Sequence, residues 1–286
     1  MSSFCHLSEE EYEKRGYLSE EFRLFHLTQP VRAPIAYHYH DFDKAVVFLG
    51  GASGYSIEGT SYTLEPYDIV LVPHYSIHRP EIEPGSPYSR LILYLSPEFL
   101  ASEEGGGGKL SRLFSSAGET SSYVLRLPSM KNSLLFESLL RLEKACSEQG
   151  FCDVLLRRLL LMEFLIYLSR AALSGEAVPL TAACPNAAVL SLMRLICENP
   201  AADFSIDALA SRVFLSRSHM MRLFKRETGC TLMEYINEKR LLMAKALLDS
   251  GLSVTETCYR CGFKNYSAFL RAYKKSFGSP PGRRKL

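Results

Sequence analysis

The sequence predicts an α+β protein with two domains, a β-rich N-terminal domain and an all-α C-terminal domain. Three observations lead to this prediction. The 286 residues are enough for two hydrophobic cores. The apolar pattern changes from short strand-like runs to helical periodicity near residue 131. The net charge also divides, because residues 1–185 hold 16 Lys and Arg against 23 Asp and Glu (−7), whereas residues 186–286 hold 17 against 8 (+9).

The charge division indicates that the basic half meets a polyanion, although a solvated basic surface would carry the same charge. The composition is otherwise that of an ordinary globular protein, with 47% hydrophobic and 22% charged residues. The acidic N-terminus lacks the apolar core of a signal peptide, and the longest apolar run, from Leu159 to Leu168, is interrupted by Glu163. We therefore expect a cytoplasmic protein with no membrane partner.

Residues 31 to about 95 read as a series of β-strands. Short runs of Val, Ile, Leu and Tyr, such as AVVFLGG, YSIEGTSYTL, DIVLVP and SRLILYL, are separated by Gly, Pro and Asp. Turn signals recur about every 8 to 12 residues, which is typical of a sandwich or a small barrel.

Two helices are predicted in residues 131–171, because apolar residues recur there at helical spacing. The two stripes are Leu135, Leu139, Leu142 and Cys146, and then Leu155, Leu159, Met162 and Ile166. Both stripes could pack on the β domain, or one of them could form a dimer seam. We expect a homodimer, and the sequence does not choose between the two helices. Residues 172–187 contain small residues and prolines without a period, which indicates a linker.

The basic half contains an internal repeat. The segment FSIDALASRVFLSRSHMMRLFKRETG (204–229) is similar to LSVTETCYRCGFKNYSAFLRAYKKSFG (252–278). Helix caps are predicted at Ser205, Ser216, Gly229, Thr231, Ser253, Asn265 and Gly278. Each repeat therefore reads as two helices joined by a tight turn, a helix-turn-helix. The intervening helix, from Leu232 to Leu248, would be about 26 Å long, so two recognition helices could enter successive major grooves roughly 34 Å apart.

Cys258 and Cys261 have the spacing of a metal or redox pair. A zinc site needs a second cysteine pair or a histidine pair close by in the sequence, and this segment offers neither. We expect both cysteines to be small packing residues at the junction of a helix and a turn.

Both repeats resemble the DNA-binding domain of the AraC/XylS family of transcription regulators. The resemblance covers residues 190 to 284 and includes LSRSHMMRLFKRETGCTLMEYINEKRLLMAKALL and CGFKNYSAFLRAYKKSFGSPPGRR. By position, it implies that six side chains face base edges: Ser218, Met221, Arg222, Tyr266, Ser267 and Arg271. It implies that five others contact phosphates: Arg217, Lys225, Lys264, Lys274 and Lys275. The alternative for each is a solvated surface position, and the apolar Met221 and Leu270, where relatives often carry polar residues, leave the target sequence open.

The stretch HYHDFDK places His38 and His40 on one face of a strand. The β region resembles the cupin domain found at the N-terminus of many family members. The metal-binding cupin pattern has H-x-H, then Glu, then Gly, and later Pro and another His. Here Lys44 stands in the place of the Glu, and Gly51 and His78 follow. A protonated lysine offers no lone pair and repels a cation.

Three interpretations of this cluster stay open. We expect a ligand-sensing pocket without metal, formed by His38, His40, Lys44 and His78. A packed, hydrogen-bonded histidine cluster is one alternative, and a metal site with three protein ligands and a water is another. We expect no cofactor and no catalytic residue, because no pair of nucleophile and base is evident.

The resemblance implies a transcription activator with a cupin-like sensor (1–130), a helix pair for dimerisation (131–171), a linker (172–187) and a double helix-turn-helix (188–286). The implied partners are double-stranded promoter DNA, a small-molecule effector such as a carbohydrate or an organic acid, and RNA polymerase. An enzyme is not expected. The alternatives are a cupin metalloenzyme with a helical tail and an architectural DNA binder that needs no ligand.

Overall fold

A computed structural model describes residues 18, 20–28, 35, 37–51, 54–82, 85–102, 104–105, 108–120, 122–174, 177–180 and 187–282. The chain forms two compact units, residues 1–183 and residues 184–286. The first unit is β-rich and the second is helical, which confirms the predicted two-domain α+β fold class.

The strands of the first unit are β1 (Phe22–Leu27), β2 (Asp43–Gly51), β3 (Gly54–Ile57), β4 (Thr60–Thr63), β5 (Ile69–Val72), β6 (His78–Glu81), β7 (Tyr88–Leu95), β8 (Glu104–Gly105), β9 (Gly108–Lys109), β10 (Val124–Arg126) and β11 (Val178–Pro179). Its helices are α1 (Pro97–Ser102), α2 (Arg112–Thr120), α3 (Leu134–Ser147) and α4 (Asp153–Ser174), with a 3₁₀ turn at Met130–Asn132.

Two antiparallel sheets dominate this unit. The larger has the strand order β1-β7-β2-β5-β10-β11, and the smaller has the order β4-β3-β6. β8 and β9 form a short hairpin. The flanking strands β1, β10 and β11 lie outside the predicted β region of residues 31 to 95.

The two sheets share one hydrophobic core. Alternate residues of a strand point to the same face, so Lys44, Val46 and Phe48 of β2 lie on the inner face of the larger sheet. Tyr55 and Ile57 of β3 face them from the smaller sheet and are fully buried. The ladders of the described strands do not close into one continuous barrel. The predicted cupin-like barrel is therefore observed, within these residues, as two sheets over a common core.

The two predicted helical stripes have different surroundings. In α3, Leu135, Leu139 and Leu142 are buried in the same core as the sheets. In α4, Leu155 and Leu159 are 56% and 59% exposed. The side of α4 that packs into the core is a different set of residues: Leu161, Phe164, Leu165, Leu168 and Ala171.

Part of the predicted linker forms regular secondary structure. Its first residues belong to the end of α4, and Val178 then pairs with Arg126 as part of β11 on the edge of the larger sheet. Ala177 is buried beside this strand. Residues 175–176 and 181–186 of the predicted linker lie outside the described residues.

Within its described residues, the second unit contains six helices: α5 (Ala187–Glu198), α6 (Ile206–Arg212), α7 (Arg217–Thr228), α8 (Leu232–Asp249), α9 (Val254–Arg260) and α10 (Tyr266–Phe277). Helices α6 and α7 form one helix-turn-helix, α9 and α10 form the second, and both pack on α8. Helix α8 has 18 residues and is about 27 Å long. Among the described helices of the chain, none is long and apolar enough to cross a bilayer.

The helix ends form where local sequence signals predict them. The side chains of Ser205, Ser216, Thr231, Ser253 and Asn265 each accept a hydrogen bond from a backbone N–H in the first turn of the helix that follows. Thr231 and Glu234 form a reciprocal capping box. Gly229 and Gly278 end α7 and α10 in the left-handed conformation. The predicted caps are confirmed.

Candidate DNA-binding surface and effector cavity

Helix α7 has one buried face and one solvent face. Met220, Leu223 and Phe224 pack into the core of the second unit, and the ring of Phe224 lies 5.4 Å from that of Tyr235 on α8. The predicted base-reading residues of this helix are on the other face: Ser218, Met221 and Arg222 are all exposed. A helix that is anchored by apolar residues and presents polar side chains to solvent has the form needed to enter a DNA groove.

Helix α10 repeats this arrangement with one difference. Phe269 and Tyr273 are buried, whereas Ser267 and Arg271 are exposed. Tyr266 is only partly exposed and packs against the core of the second helix-turn-helix. Of the six predicted base-reading residues, Tyr266 therefore presents the least of its surface to solvent.

The five predicted phosphate contacts are all exposed, and two of them, Arg217 and Lys264, form ion pairs with aspartates. Arg217 donates hydrogen bonds from Nε and Nη2 to the two carboxylate oxygens of Asp207. Lys264 donates to Asp203 at 2.8 Å, and this bond holds the pKa of Asp203 below its usual range. Ion pairs this exposed contribute little to stability, so phosphate groups can compete for both cations. The remaining three are Lys225, Lys274 and Lys275.

In the first unit, three histidine rings are close together. The ring centroid of His78 lies 4.4 Å from that of His38 and 4.8 Å from that of His40. Nδ1 of His40 is 2.8 Å from the carbonyl oxygen of Phe42, and Nδ1 of His78 is 2.8 Å from that of Ser76. Because a carbonyl only accepts, both Nδ1 atoms carry the proton. In the neutral form of this tautomer, the lone pair of the ring is on Nε2.

Lys44 lies on the inner face of the same domain and is only 3% exposed. It lines a small cavity of about 20 Å³ together with His38, Tyr55, Tyr88 and Arg90. This volume holds about one water molecule. His40 and His78 stack on neighbouring rings instead, His40 on Phe42 and His78 on Tyr55, and are not among the cavity-lining residues. Two of the four predicted ligand residues, His38 and Lys44, thus share one cavity.

Among the described residues, no group of three or more His, Cys, Asp or Glu side chains is arranged to hold a metal ion. At the position where the metal-binding pattern has a carboxylate, Lys44 supplies an ammonium group, which is a donor without a lone pair when protonated.

Both halves of the chain match families of known proteins. Residues 26–164 match the family described as AraC-like ligand binding domain, and residues 209–285 match the family described as helix-turn-helix domain. The chain belongs to the AraC family of transcriptional regulators. Proteins named HTH-type transcriptional activator RhaS are 26% identical to it, over 248 residues in Citrobacter koseri and 250 in Escherichia coli, covering 85% of each chain.

Two solved structures illustrate the match of this AraC-family regulator. The DNA-binding domain of AdpA in complex with a target DNA is 29% identical and covers 32% of this chain and 83% of that one, with a TM-score of 0.31. ToxT from Vibrio cholerae is 15% identical and covers 91% and 95% of the two chains, with a TM-score of 0.37.

Sequence reasoning missed three residues that shape these sites in the AraC-family chain. Arg90 lines the cavity and is 6% exposed, and no local pattern distinguishes it from a surface arginine. Arg240 donates from α8 to the carbonyl oxygens of Pro200 and Ala202, at 3.0 and 2.8 Å. Its position in the middle of a predicted helix gave no signal of this long-range bond.

Gly262 is the third missed residue. It has a φ of +80°, and a Cβ atom placed there would lie 2.5 Å from the carbonyl oxygen of Ala201. The turn between α9 and α10 therefore requires glycine for its conformation and for the close approach of the loop after α5. The Gly in the sequence CGF was the available signal, since isolated glycines mark turns and close contacts.

Proposed function

We propose that this regulator is a cytoplasmic transcription activator, without enzymatic activity, that is controlled by a small molecule bound in its N-terminal domain. The observation that carries the proposal is the pair of capped helix-turn-helix units on one basic segment, with Arg222 and Arg271 exposed at equivalent positions of the repeat. Two equivalent recognition helices suit a DNA site that extends over two successive major grooves.

Base reading is assigned to Ser218, Met221, Arg222, Tyr266, Ser267 and Arg271. The two arginines can each donate two hydrogen bonds to a guanine edge, and Met221 can pack on a thymine methyl group. Phosphate contacts are assigned to Arg217, Lys225, Lys264, Lys274 and Lys275, which set affinity and its salt dependence. All of these side chains except the partly buried Tyr266 are exposed, which supports both assignments.

The effector is assigned to the cluster of His38, His40, Lys44 and His78, with Arg90 added from the cavity lining. An effector controls DNA binding only if it binds one arrangement of the domains better than the other. The names of the RhaS relatives support activation rather than repression, and activation implies RNA polymerase as a partner. A carbohydrate and an organic acid are the two candidate ligand classes.

A homodimer is proposed through α4. Leu155, Leu159, Met162 and Ile166 have the 4-3-4 spacing of a coiled-coil seam, and three of the four side chains are at least 40% exposed. The corresponding stripe of α3 is buried in the core of its own domain, which leaves α4 as the helix available to an identical partner.

The proposal is tested by selecting binding sites for the full chain from random double-stranded DNA. We expect enrichment of a site with two short conserved elements about one helical turn apart. Typical specific sites bind about 10³ to 10⁷ times more tightly than non-specific DNA, so competition with random DNA gives a clear result. Equal affinity for selected and random DNA would instead support the architectural DNA binder, and no DNA binding at all would contradict the proposed function.

A further inference from the structure

We infer that Arg240 of α8 is a positioning residue, which fixes the separation and the angle of the two helix-turn-helix motifs on DNA. The inference rests on the proposed DNA site with two elements and specifies what sets their spacing. Arg240 lies in the middle of α8 and donates from Nε to the carbonyl oxygen of Pro200 at 3.0 Å and from Nη2 to that of Ala202 at 2.8 Å. Both acceptors belong to the loop of residues 199–205, the α5–α6 loop, which leads directly into the first motif.

The α5–α6 loop also contacts the second motif. The carbonyl oxygen of Ala201 approaches Gly262 so closely that a Cβ atom there would lie 2.5 Å from it. The carboxylate of Asp203 accepts a hydrogen bond from Nζ of Lys264 at 2.8 Å. Gly262 and Lys264 both belong to the turn between α9 and α10. The loop that leads into the first motif is therefore joined both to α8 and to the turn of the second motif.

Apolar packing places the two motifs on different halves of α8. The first motif contacts the N-terminal half, where the ring of Phe224 lies 5.4 Å from that of Tyr235. The second motif shares a core with the C-terminal half, in which Phe269 packs with Leu241 and Leu248. Apolar contacts are non-directional, whereas hydrogen bonds are directional. The two hydrogen bonds of Arg240 therefore restrict the angle between the motifs more closely than burial alone.

The angle matters because the two recognition helices act far apart. Helices in successive major grooves are about 34 Å apart, so a rotation of one motif by roughly 5° moves the other by about 3 Å. The donor–acceptor distances of good hydrogen bonds span only about 0.5 Å. Both motifs can therefore read their bases at the same time only if their relative angle is held.

Arg240 is better suited to hold this angle than the neighbouring ion pair. It is partly buried and lines a groove with Phe204 and Phe263, one from each side of the contact. A hydrogen bond that is shielded from water and has a charged donor is stronger than an exposed one. The pair of Asp203 and Lys264 is 77% exposed at both side chains, and such pairs contribute little. The planar guanidinium also offers two donors in a fixed geometry.

The test measures affinity for four kinds of DNA at constant salt, by fluorescence anisotropy with the full chain. These are the selected site with both elements, the same site with either element scrambled, and sites with one base pair inserted or removed between the elements. The variants are Arg240→Met, Arg240→Lys and the control Arg194→Met. Arg240→Lys keeps the charge without the two-armed geometry. Arg194 is exposed on α5 and lines a different groove with Glu198 and Arg212, so its replacement removes the same charge elsewhere.

We expect the parent and Arg194→Met to bind the selected site much more tightly than the sites with altered spacing. Both Arg240 variants should lose at least about tenfold on the selected site, which is part of the 10²–10⁴ gained when two joined binding units engage together. They should lose less than about threefold on the sites with one element scrambled, and should discriminate less between spacings. Thermal denaturation followed by circular dichroism shows that each variant is folded at the temperature of the assay.

Three outcomes would overturn the inference. Equal losses on the selected and the scrambled sites would leave Arg240 a purely structural role. Parental behaviour of Arg240→Lys would mean that only the charge matters, and this variant decides the question if Arg240→Met does not fold. An unchanged preference for spacing in folded Arg240→Met would exclude a positioning role. A parent chain that binds the selected and the scrambled sites equally well would instead contradict the proposed two-element function itself, and the inference would fail with it.

Discussion

At the scale of single residues, the cationic side chains of the two candidate sites differ in what they can bind, because those of the DNA-binding surface are exposed and those of the effector cavity are buried. Arg271 is exposed on α10, where a planar fork can meet a base edge, whereas Lys274, one turn further on, is an exposed point charge. Lys44 and Arg90 are the same residue types without solvent, held beside aromatic rings. The type of residue therefore sets the chemistry, and burial decides which ligand can use it.

Replacing Arg271 by alanine should weaken binding to the selected DNA site by about 1–3 kcal/mol and relax the preference at one base pair, because a two-pronged contact to a base is lost. Fluorescence anisotropy against the selected site and all single-base variants measures this. Lys274→Ala is the matched control. It should weaken all sequences alike and lower the salt slope of log K by about 1. An unchanged preference in Arg271→Ala would remove this residue from the base-reading set.

The cysteine pair gives a second prediction at this scale. Cys258 and Cys261 are fully buried, and burial raises the pKa of both thiols, to about 11 for Cys261. The neutral thiol is therefore favoured in the folded state. The associated stability is present in full below the ordinary pKa of 9 and is lost as the pH rises from about 9 to about 11.

Iodoacetamide labelling of the native chain at pH 8, followed by mass spectrometry, measures the reactivity of each thiol. Cys152, which is exposed, should react within minutes, and the buried pair should react only as the protein unfolds. Labelling of Cys258 at the rate of Cys152 in the folded protein would contradict the packing role and support a reactive pair.

At the scale of secondary-structure elements, the turns of the two helix-turn-helix motifs share a position with positive φ but have different residues there. The second residue after the first helix has positive φ in both motifs. It is Phe214 (φ 54°) in the first turn and Gly262 (φ 80°) in the second. A phenylalanine in this conformation is strained, and Phe214 is also 94% exposed, so packing does not compensate for the strain. Gly262 has no such strain and approaches Ala201 closely.

Gly262→Ala should destabilise the protein by at least about 2 kcal/mol, because an alanine adds both backbone strain and a clash with the Ala201 carbonyl. Phe214→Gly is its counterpart and should be neutral or stabilising by less than about 1 kcal/mol, since relief of strain exceeds the entropy cost of glycine only slightly. Chemical denaturation with a constant m-value measures both. Equal effects of the two changes would contradict the proposed difference in strain between the two turns.

The same contrast explains which elements the sequence could predict. Ser205, Ser216, Thr231 and Asn265 act within one helical turn of themselves, so local pattern alone located these helix starts. Strands β1, β10 and β11 exist through pairing with distant residues, and β11 has only two residues, so periodicity gave no sign of them. Arg90 became a site residue only through the register of β7 on β2. Local chemistry was predictable, and long-range placement was not.

At the scale of the whole molecule, the division of charge matches the division of structure. The compact unit of residues 184–286 contains the basic segment with both helix-turn-helix motifs, and the unit of residues 1–183 contains the acidic segment with the buried cations. A basic unit gains affinity for DNA in a salt-dependent manner, while an acidic partner unit does not bind the polyanion. Under the proposed function, control of transcription depends on how effector binding to the first unit changes the access of the second unit to DNA or its pairing with a second copy.

The proposed dimerisation through α4 gives the last prediction. Leu155 and Leu159 lie at consecutive positions of the proposed α4 seam and are more than half exposed. An identical helix could bury the exposed part of both, each contributing roughly half of the 1.5–3 kcal/mol for complete burial of a leucine. The double variant Leu155→Glu and Leu159→Glu should convert a dimer to a monomer, because glutamates in a seam must be desolvated. Sedimentation velocity at micromolar concentration gives the mass, and Val178→Glu, a change at a residue 52% exposed on β11, is the control.

The consequence for DNA binding follows from effective concentration. Two linked DNA-binding units gain about 10²–10⁴ in overall affinity over one unit when both can engage, so the monomeric variant should lose up to that factor on a site with two half-sites and almost nothing on a single half-site. Unchanged mass in the double variant would exclude the α4 seam. A monomeric parent that still binds the full site with undiminished affinity would show that the double helix-turn-helix of one chain is the complete reading unit.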